Sequence, residues 1–138
     1  MEMQPYVNFA GACEEALGFY KTVFGGEITS LMRFGDMPGD EGRAMPPEHA
    51  NLVMHASFEA PGVKFMASDG RPGTPRPAES HKITLSIGTS DVAQGDRLYA
   101  SLAAGGETTM PLQDTFWGAR FGTLTDKYGI DWMINAQK

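Results

Sequence analysis

Residues 11–27 read GACEEALGFYKTVFGGE, and residues 91–106 read DVAQGDRLYASLAAGG. In the first, Cys13, Ala16, Leu17, Tyr20, Val23 and Phe24 recur at helical spacing, and Gly25-Gly26 supply the stop signal of a helix C-terminus. In the second, Asp91 is placed as an N-cap, Val92, Leu98 and Leu102 share one face, and Gly105-Gly106 close the helix. One alternating, strand-like segment precedes each helix and three follow it. QPYVNFA (4–10) leads into the first helix; EITSLMRFG from Glu27, NLVMHASFEA from Asn51 and VKFMASDG from Val63 come after it. KITLSIGT from Lys82 leads into the second, followed by ETTMPLQD, ARFGTLTD and IDWMINA. The chain is therefore two copies of strand, helix, strand, strand, strand, and repetition is a far more specific signal than any single element.

Gly, Pro and charge mark the connections. DMPGDEGRAMPPEH (36–49) predicts a mobile surface loop, Ala60-Pro61-Gly62 a hairpin turn, and GRPGTPRPAESH (70–81) the break between the copies. The reading is a single domain over 1–138, with module one at about 1–70, a linker at about 71–81 and module two at about 82–138. The fold class is α+β: two βαβββ modules.

Charge and length narrow the function. Eleven basic against seventeen acidic side chains give a net charge of -6 over 138 residues, which leaves no surface that would release counterions from a phosphate backbone. Nucleic acid is excluded as a partner. No segment approaches the length of a membrane-spanning helix, and MEMQPYVNFA has neither a basic nor an apolar leader region, so no membrane partner is expected. The one cysteine, Cys13, has no intrachain disulfide partner, which fits a reducing cytoplasm. It reads as a buried helix residue, because no base is placed beside it.

PYVNFAGACEEALGFYKTVFGGEI near the start, FMASD in the middle and DTFWGARFGTLTDKYGIDWMIN near the end, in this order, resemble the vicinal oxygen chelate superfamily, the glyoxalase and bleomycin-resistance fold. Within it the likeness is to the PhnB-like group, some of whose members carry a 3-demethylubiquinone methyltransferase label. The resemblance covers essentially the whole chain. It implies two curved mixed sheets around a small-molecule cavity, commonly in a homodimer. The methyltransferase label finds no support in the sequence, which lacks a strand-linked glycine fingerprint for a nucleotide-like cofactor.

The superfamily's usual chemistry uses a divalent metal held by His and carboxylate side chains from the first and last strands of each module. Aligned by ALGFY and DKYGIDWM, those positions here carry Pro5, Met66 or a neighbour, Lys82 and Met133. None is a ligand for such a metal, and His81 stands one residue out of phase, which in a strand is the other face. The expectation is no metal and no other cofactor. A divalent ion enters only if its ligands are displaced.

The same alignment assigns faces. Lys82, Thr84 and Ser86 turn inward, with Ile83, Leu85 and Ile87 against the helix; so do Asp131, Met133 and Asn135, with Ile130, Trp132 and Ile134 in the core. Val53, His55, Ser57 and Glu59 turn inward on the third strand, and Lys64, Met66 and Ser68 on the fourth. An antiparallel sheet with one solvated face shows the same alternation.

His55 is the candidate acid–base residue, because its ordinary pKa suits proton transfer near neutrality. The alternative is a hydrogen-bonded histidine on a half-exposed strand. Arg120 offers a planar fork for an anionic group, Trp117 an apolar wall beside it, and Lys82 a further charge. Against this, Arg120 pairing with Asp114 or Asp126 would brace a hairpin. Asp69 and Asp126 read as turn residues. The ligand-binding set is Lys82, Ser68, Met66, Trp117, Arg120 and Met133. Two functions remain: a protein that binds a small polar or anionic molecule without the standard metal site, or an enzyme. The enzyme would be a lyase, isomerase or dioxygenase with a displaced metal, or one using His55 for acid–base catalysis.

Overall fold

The structure is a computed structural model and describes residues 1–37, 45–73 and 80–138. The middles of the two expected loops, 38–44 and 74–79, lie outside the described residues. The chain divides into two compact units, Met1–Pro77 and Ala78–Lys138.

The first unit runs β1 (Tyr6–Asn8), α1 (Cys13–Phe24), β2 (Glu27–Arg33), a short helical turn α2 (Pro47–Ala50), β3 (Val53–Ala60) and β4 (Val63–Ser68). Its four strands lie in the order β1-β4-β3-β2, with β1 parallel to β4 and the other pairs antiparallel. The second unit runs β5 (Leu85–Thr89), α3 (Val92–Ala103), β6 (Glu107–Asp114), β7 (Ala119–Thr125) and β8 (Asp131–Gln137), in the sheet order β5-β8-β7-β6. There β5 is parallel to β8 and the remaining pairs are antiparallel. Both sheets are thus mixed, and the class is α+β.

Each unit has its own core, where the helix covers one face of its sheet. In the first, Cys13, Ala16, Leu17 and Tyr20 of α1 are buried. They meet the sheet through aromatic contacts: Tyr20 is edge-on to Phe65 at 5.8 Å, Phe58 stacks on Phe65 at 5.1 Å, and Phe24 is edge-on to Phe58 at 6.5 Å. In the second, Gly95, Tyr99 and Leu102 are buried on α3, with Leu124, Trp132, Ile134 and Ala136 on the sheet.

The paired glycines have the same two jobs in both units. Gly25 and Gly105 take φ of 70° and 77°, the left-handed conformation that ends a helix. A side chain on Gly26 would strike the carbonyl oxygen of Glu59, and one on Gly106 that of Thr125. The second glycine therefore lets the chain leave the helix against the end of a strand.

Two buried carboxylates tie loops to these frames. Asp69 accepts from the backbone N–H groups of Gly11 (2.9 Å) and Cys13 (2.8 Å) through Oδ1, and from Val53 (2.8 Å) through Oδ2. It joins the end of β4 to the entry of α1 and the start of β3. Asp126 accepts from Tyr128 (2.9 Å) and Ile130 (3.1 Å) in its turn, as its sequence context predicts, and also from Nε1 of Trp132 at 2.8 Å.

Three expectations are corrected. The strand expected from Lys82 begins at Leu85, and Ile83 is 78% exposed instead of packing on the helix. Part of the loop expected over 36–49 is ordered as α2, where Pro47 sits in the first turn with φ pre-set for a helix. On α3 the buried set is Gly95, Tyr99 and Leu102; of the face expected from Val92, Leu98 and Leu102, the first two are only half-buried. The reason is close approach: a Cβ on Gly95 would lie 2.9 Å from that of Ala136, so the helix rests on β8 along this line. Tyr99 lies on the same line and donates its hydroxyl to the carbonyls of Met110 (2.9 Å) and Thr123 (3.0 Å).

Candidate functional site

On the first sheet, the residues not facing α1 form the candidate site. Register places Tyr6 opposite Met66, Met66 opposite Ser57, and Met32 opposite His55. Paired residues share a face, so Tyr6, Met66, Ser57, His55 and Met32 project from one side. Phe58 and Phe65, on the alternate positions, are in the core.

The sequence candidates His55, Met66 and Ser68 therefore come together. The Tyr6 hydroxyl lies 3.1 Å from Nδ1 of His55, with the rings 5.7 Å apart. His55 is half-buried, and Tyr6 is 53% exposed. Ser68 is 7% exposed and already engaged: its Oγ donates to the Val53 carbonyl (3.4 Å) and accepts from Gly70 N–H (2.9 Å). Further along the sheet, Lys64 pairs with Glu2 (3.2 Å) and Glu59 (3.6 Å).

On the second sheet, Met133 sits between Ser86 and Thr123, and Asn135 between Gly88 and Phe121. Among the described residues, the Oδ1 of Asn135 is buried without a hydrogen-bond partner. Asp131, on the same side of β8, accepts from Thr125 Oγ1 at 2.6 Å and pairs with Nδ1 of His81 at 2.7 Å. Trp117 is 49% exposed and edge-on to Phe116 (5.0 Å) and Phe121 (5.8 Å).

Arg120 is not part of this face. It alternates with Phe121 and shares the α3 side with Gly122 and Leu124, and its Nε donates to Asp96 of α3 at 2.7 Å. Its Nη1 reaches Asp114 at 3.4 Å, a partner its sequence context allowed. The Asp96 hydrogen bond raises the guanidinium pKa further. Trp117 leans on Phe121, on the opposite side, so Arg120 and Trp117 do not form one contact. Lys82 is exposed in the segment before β5.

Cys13 offers no nucleophile: burial, with the charges of Asp69 and Glu14, pushes its thiol up to about 12. Sequence reasoning missed Tyr6, since nothing in QPYVNFA shows that β1 will lie beside β4. It also set His81 aside as out of phase, and His81 pairs with Asp131. The phase rule behind that holds only within a strand, and β5 begins four residues after His81.

A family model described as 3-demethylubiquinone-9 3-methyltransferase matches residues 1–135. The chain belongs to this family. Its sequence is 36% identical to Protein YjdN of Escherichia coli K12, over all of this chain and 97% of that one. A PhnB protein from Bacillus cereus is 28% identical with a TM-score of 0.78, covering 99% of each chain. A glyoxylase/bleomycin resistance protein/dioxygenase domain from Frankia shares the fold, at 17% identity and a TM-score of 0.65, over 100% of this chain and 98% of that one. The chain is PhnB-like and shares the glyoxalase and bleomycin-resistance fold, as the sequence resemblance implied.

The superfamily's divalent metal does not fit the residues present. Pro5 contributes only a carbonyl, which accepts from Met66 N–H at 2.9 Å. Met66 and Met133 offer soft thioethers, and Lys82 offers no lone pair while protonated. Among the described residues no three His, Cys, Asp or Glu side chains gather into a metal-holding group. No helix among them is long and apolar enough to cross a membrane.

Proposed function

We propose that this PhnB-like protein binds a small polar molecule on the Tyr6–His55 face of its first unit, without the superfamily's standard metal. The observation that carries the reading is the Tyr6–His55 contact at 3.1 Å on a sheet face lined by Ser57, Met66 and Met32. A strand face that only met solvent would have no need of an imidazole and a phenol joined across strands. The methionines supply an adaptable apolar lining beside the polar groups. The same contact supports a second reading, in which His55 moves a proton on a bound substrate. Arg120 plays no part in either, because Asp96 and Asp114 engage it. The protein would work as a homodimer in the cytoplasm.

A metabolite screen by thermal shift tests the reading, because a ligand of the folded state raises its apparent stability. His55→Ala should abolish the shift, and Arg120→Gln should leave it in place. Recovery of the ligand unchanged marks binding, and its conversion marks catalysis. A ligand whose shift survives His55→Ala would sink the assignment. Sedimentation at several concentrations checks the dimer.

A further inference from the structure

We infer that Tyr6 fixes the tautomer of His55 and thereby selects ligands that present a hydrogen-bond acceptor, such as a carbonyl, carboxylate or phosphate oxygen. This rests on the binding reading above and deepens it.

A neutral imidazole carries one N–H and one bare nitrogen, and which is which follows from its hydrogen bonds. The Tyr6 oxygen stands 3.1 Å from Nδ1. A phenol is the better donor of the two and an imidazole nitrogen the better acceptor, so Tyr6 O–H donates to Nδ1. The ring proton is then on Nε2. Among the described residues His55 has no hydrogen-bond partner other than Tyr6. Its neighbour across β2 is Met32, which offers no competing polar group of strength. Nε2 therefore presents an N–H donor at a half-buried position on the candidate face.

A half-buried donor without a partner gains most from an acceptor oxygen and is opposed by a group that can only donate. Tyr6 thus acts through His55 as a positioning residue. Without it, the proton would distribute over both ring nitrogens, and a bare Nε2 would admit donor-only ligands.

The test is nitrogen-15 NMR of the His55 ring, at a pH where its own shifts report it neutral. Wild-type protein should show an unprotonated Nδ1 and a protonated Nε2, and Tyr6→Phe should show a mixture. Tyr6 is half-exposed, so this variant removes one oxygen without opening the core. Acetate, an acceptor only, and methylammonium, a donor only, then serve as probes. Acetate should shift the Nε2 signal saturably while methylammonium leaves it alone. Tyr6→Phe should weaken acetate by about twofold, the loss expected when only about half of the rings keep the proton on Nε2.

A wild-type ring protonated at Nδ1 would overturn the inference whatever binds. So would methylammonium shifting Nε2 in place of acetate. With the expected tautomer but no response to either probe on this face, the binding reading itself fails, and the ligand class falls with it.

Discussion

Replacing Asp69 by alanine removes the acceptor for three backbone N–H groups at once. Two of them, on Cys13 and Val53, are in buried hydrogen bonds; that on Gly11 is partly buried and can turn to water. Each buried N–H left unpaired costs about 1–3 kcal/mol, so the pair costs about 4 kcal/mol, with little added for Gly11. That is a large part of the ~5–15 kcal/mol by which domains are stable. With a urea m-value of about 1.5 kcal/mol/M the midpoint should fall by about 2.5 M. Far-ultraviolet circular dichroism follows the transition. Amide exchange at Cys13 and Val53 localises it, since both sites should lose protection first. Asp69→Asn keeps an oxygen for Gly11 and Cys13 but turns an NH2 toward the Val53 N–H, so it should cost about 2 kcal/mol. A loss under ~1 kcal/mol for Asp69→Ala, with both amides still protected, would refute the account of this carboxylate as the tie between β4, α1 and β3.

Gly106→Ala should destabilise by about 1–3 kcal/mol, read by denaturation, because its new methyl group meets the backbone of Thr125 and Asp126. Arg33 donates two hydrogen bonds to Glu14, and the first of these effects lowers the Glu14 pKa against a small opposing burial. A folded-state value below the unfolded one means stability that is present above the unfolded pKa and lost as pH falls through the folded one. With the Glu14 side chain 58% exposed, solvent screening limits this to about 0.5 kcal/mol. Glu14→Gln should show that loss at about pH 7 and none at about pH 2, where wild-type Glu14 is itself protonated. Cys13, with its thiol raised to about 12, should resist iodoacetamide in the native protein at neutral pH and react only on unfolding.

The repeat made the fold legible. Two helices with the same paired-glycine ending, each set among one and three alternating segments, place all eight strands before any contact is known. The sequence also predicted the alternation along β8, where Trp132 and Ile134 are buried and Met133 and Asn135 are not. Strand phase failed where the strand itself stopped: the family alignment gave Lys82 an inward face and carried it on to Thr84 and Ser86, yet residues before Leu85 do not lie in the sheet. The face of α3 was read only in part, for a different reason. Gly95 contributes nothing to a hydrophobic pattern, but its lack of a side chain sets the line of contact with β8.

The site was harder to read than the fold because its defining contact joins residues from distant parts of the chain. His55 could be singled out by chemistry alone. Its partner Tyr6 comes from a three-residue strand, and only the parallel pairing of β1 with β4 brings it near. Arg120 illustrates the converse. Its charge and its neighbour Trp117 suggested an anion contact, but the alternation of β7 turns it toward α3, where Asp96 receives it. The cation best suited to an acidic ligand is therefore engaged in holding a helix to its sheet. Under the proposed reading, recognition on the first unit's face would then depend on oriented hydrogen-bond donors more than on opposite charge. Under the proposed binding reading, the N–H of His55, and not the protein's net charge, is therefore the quantity that decides which ligands it would take.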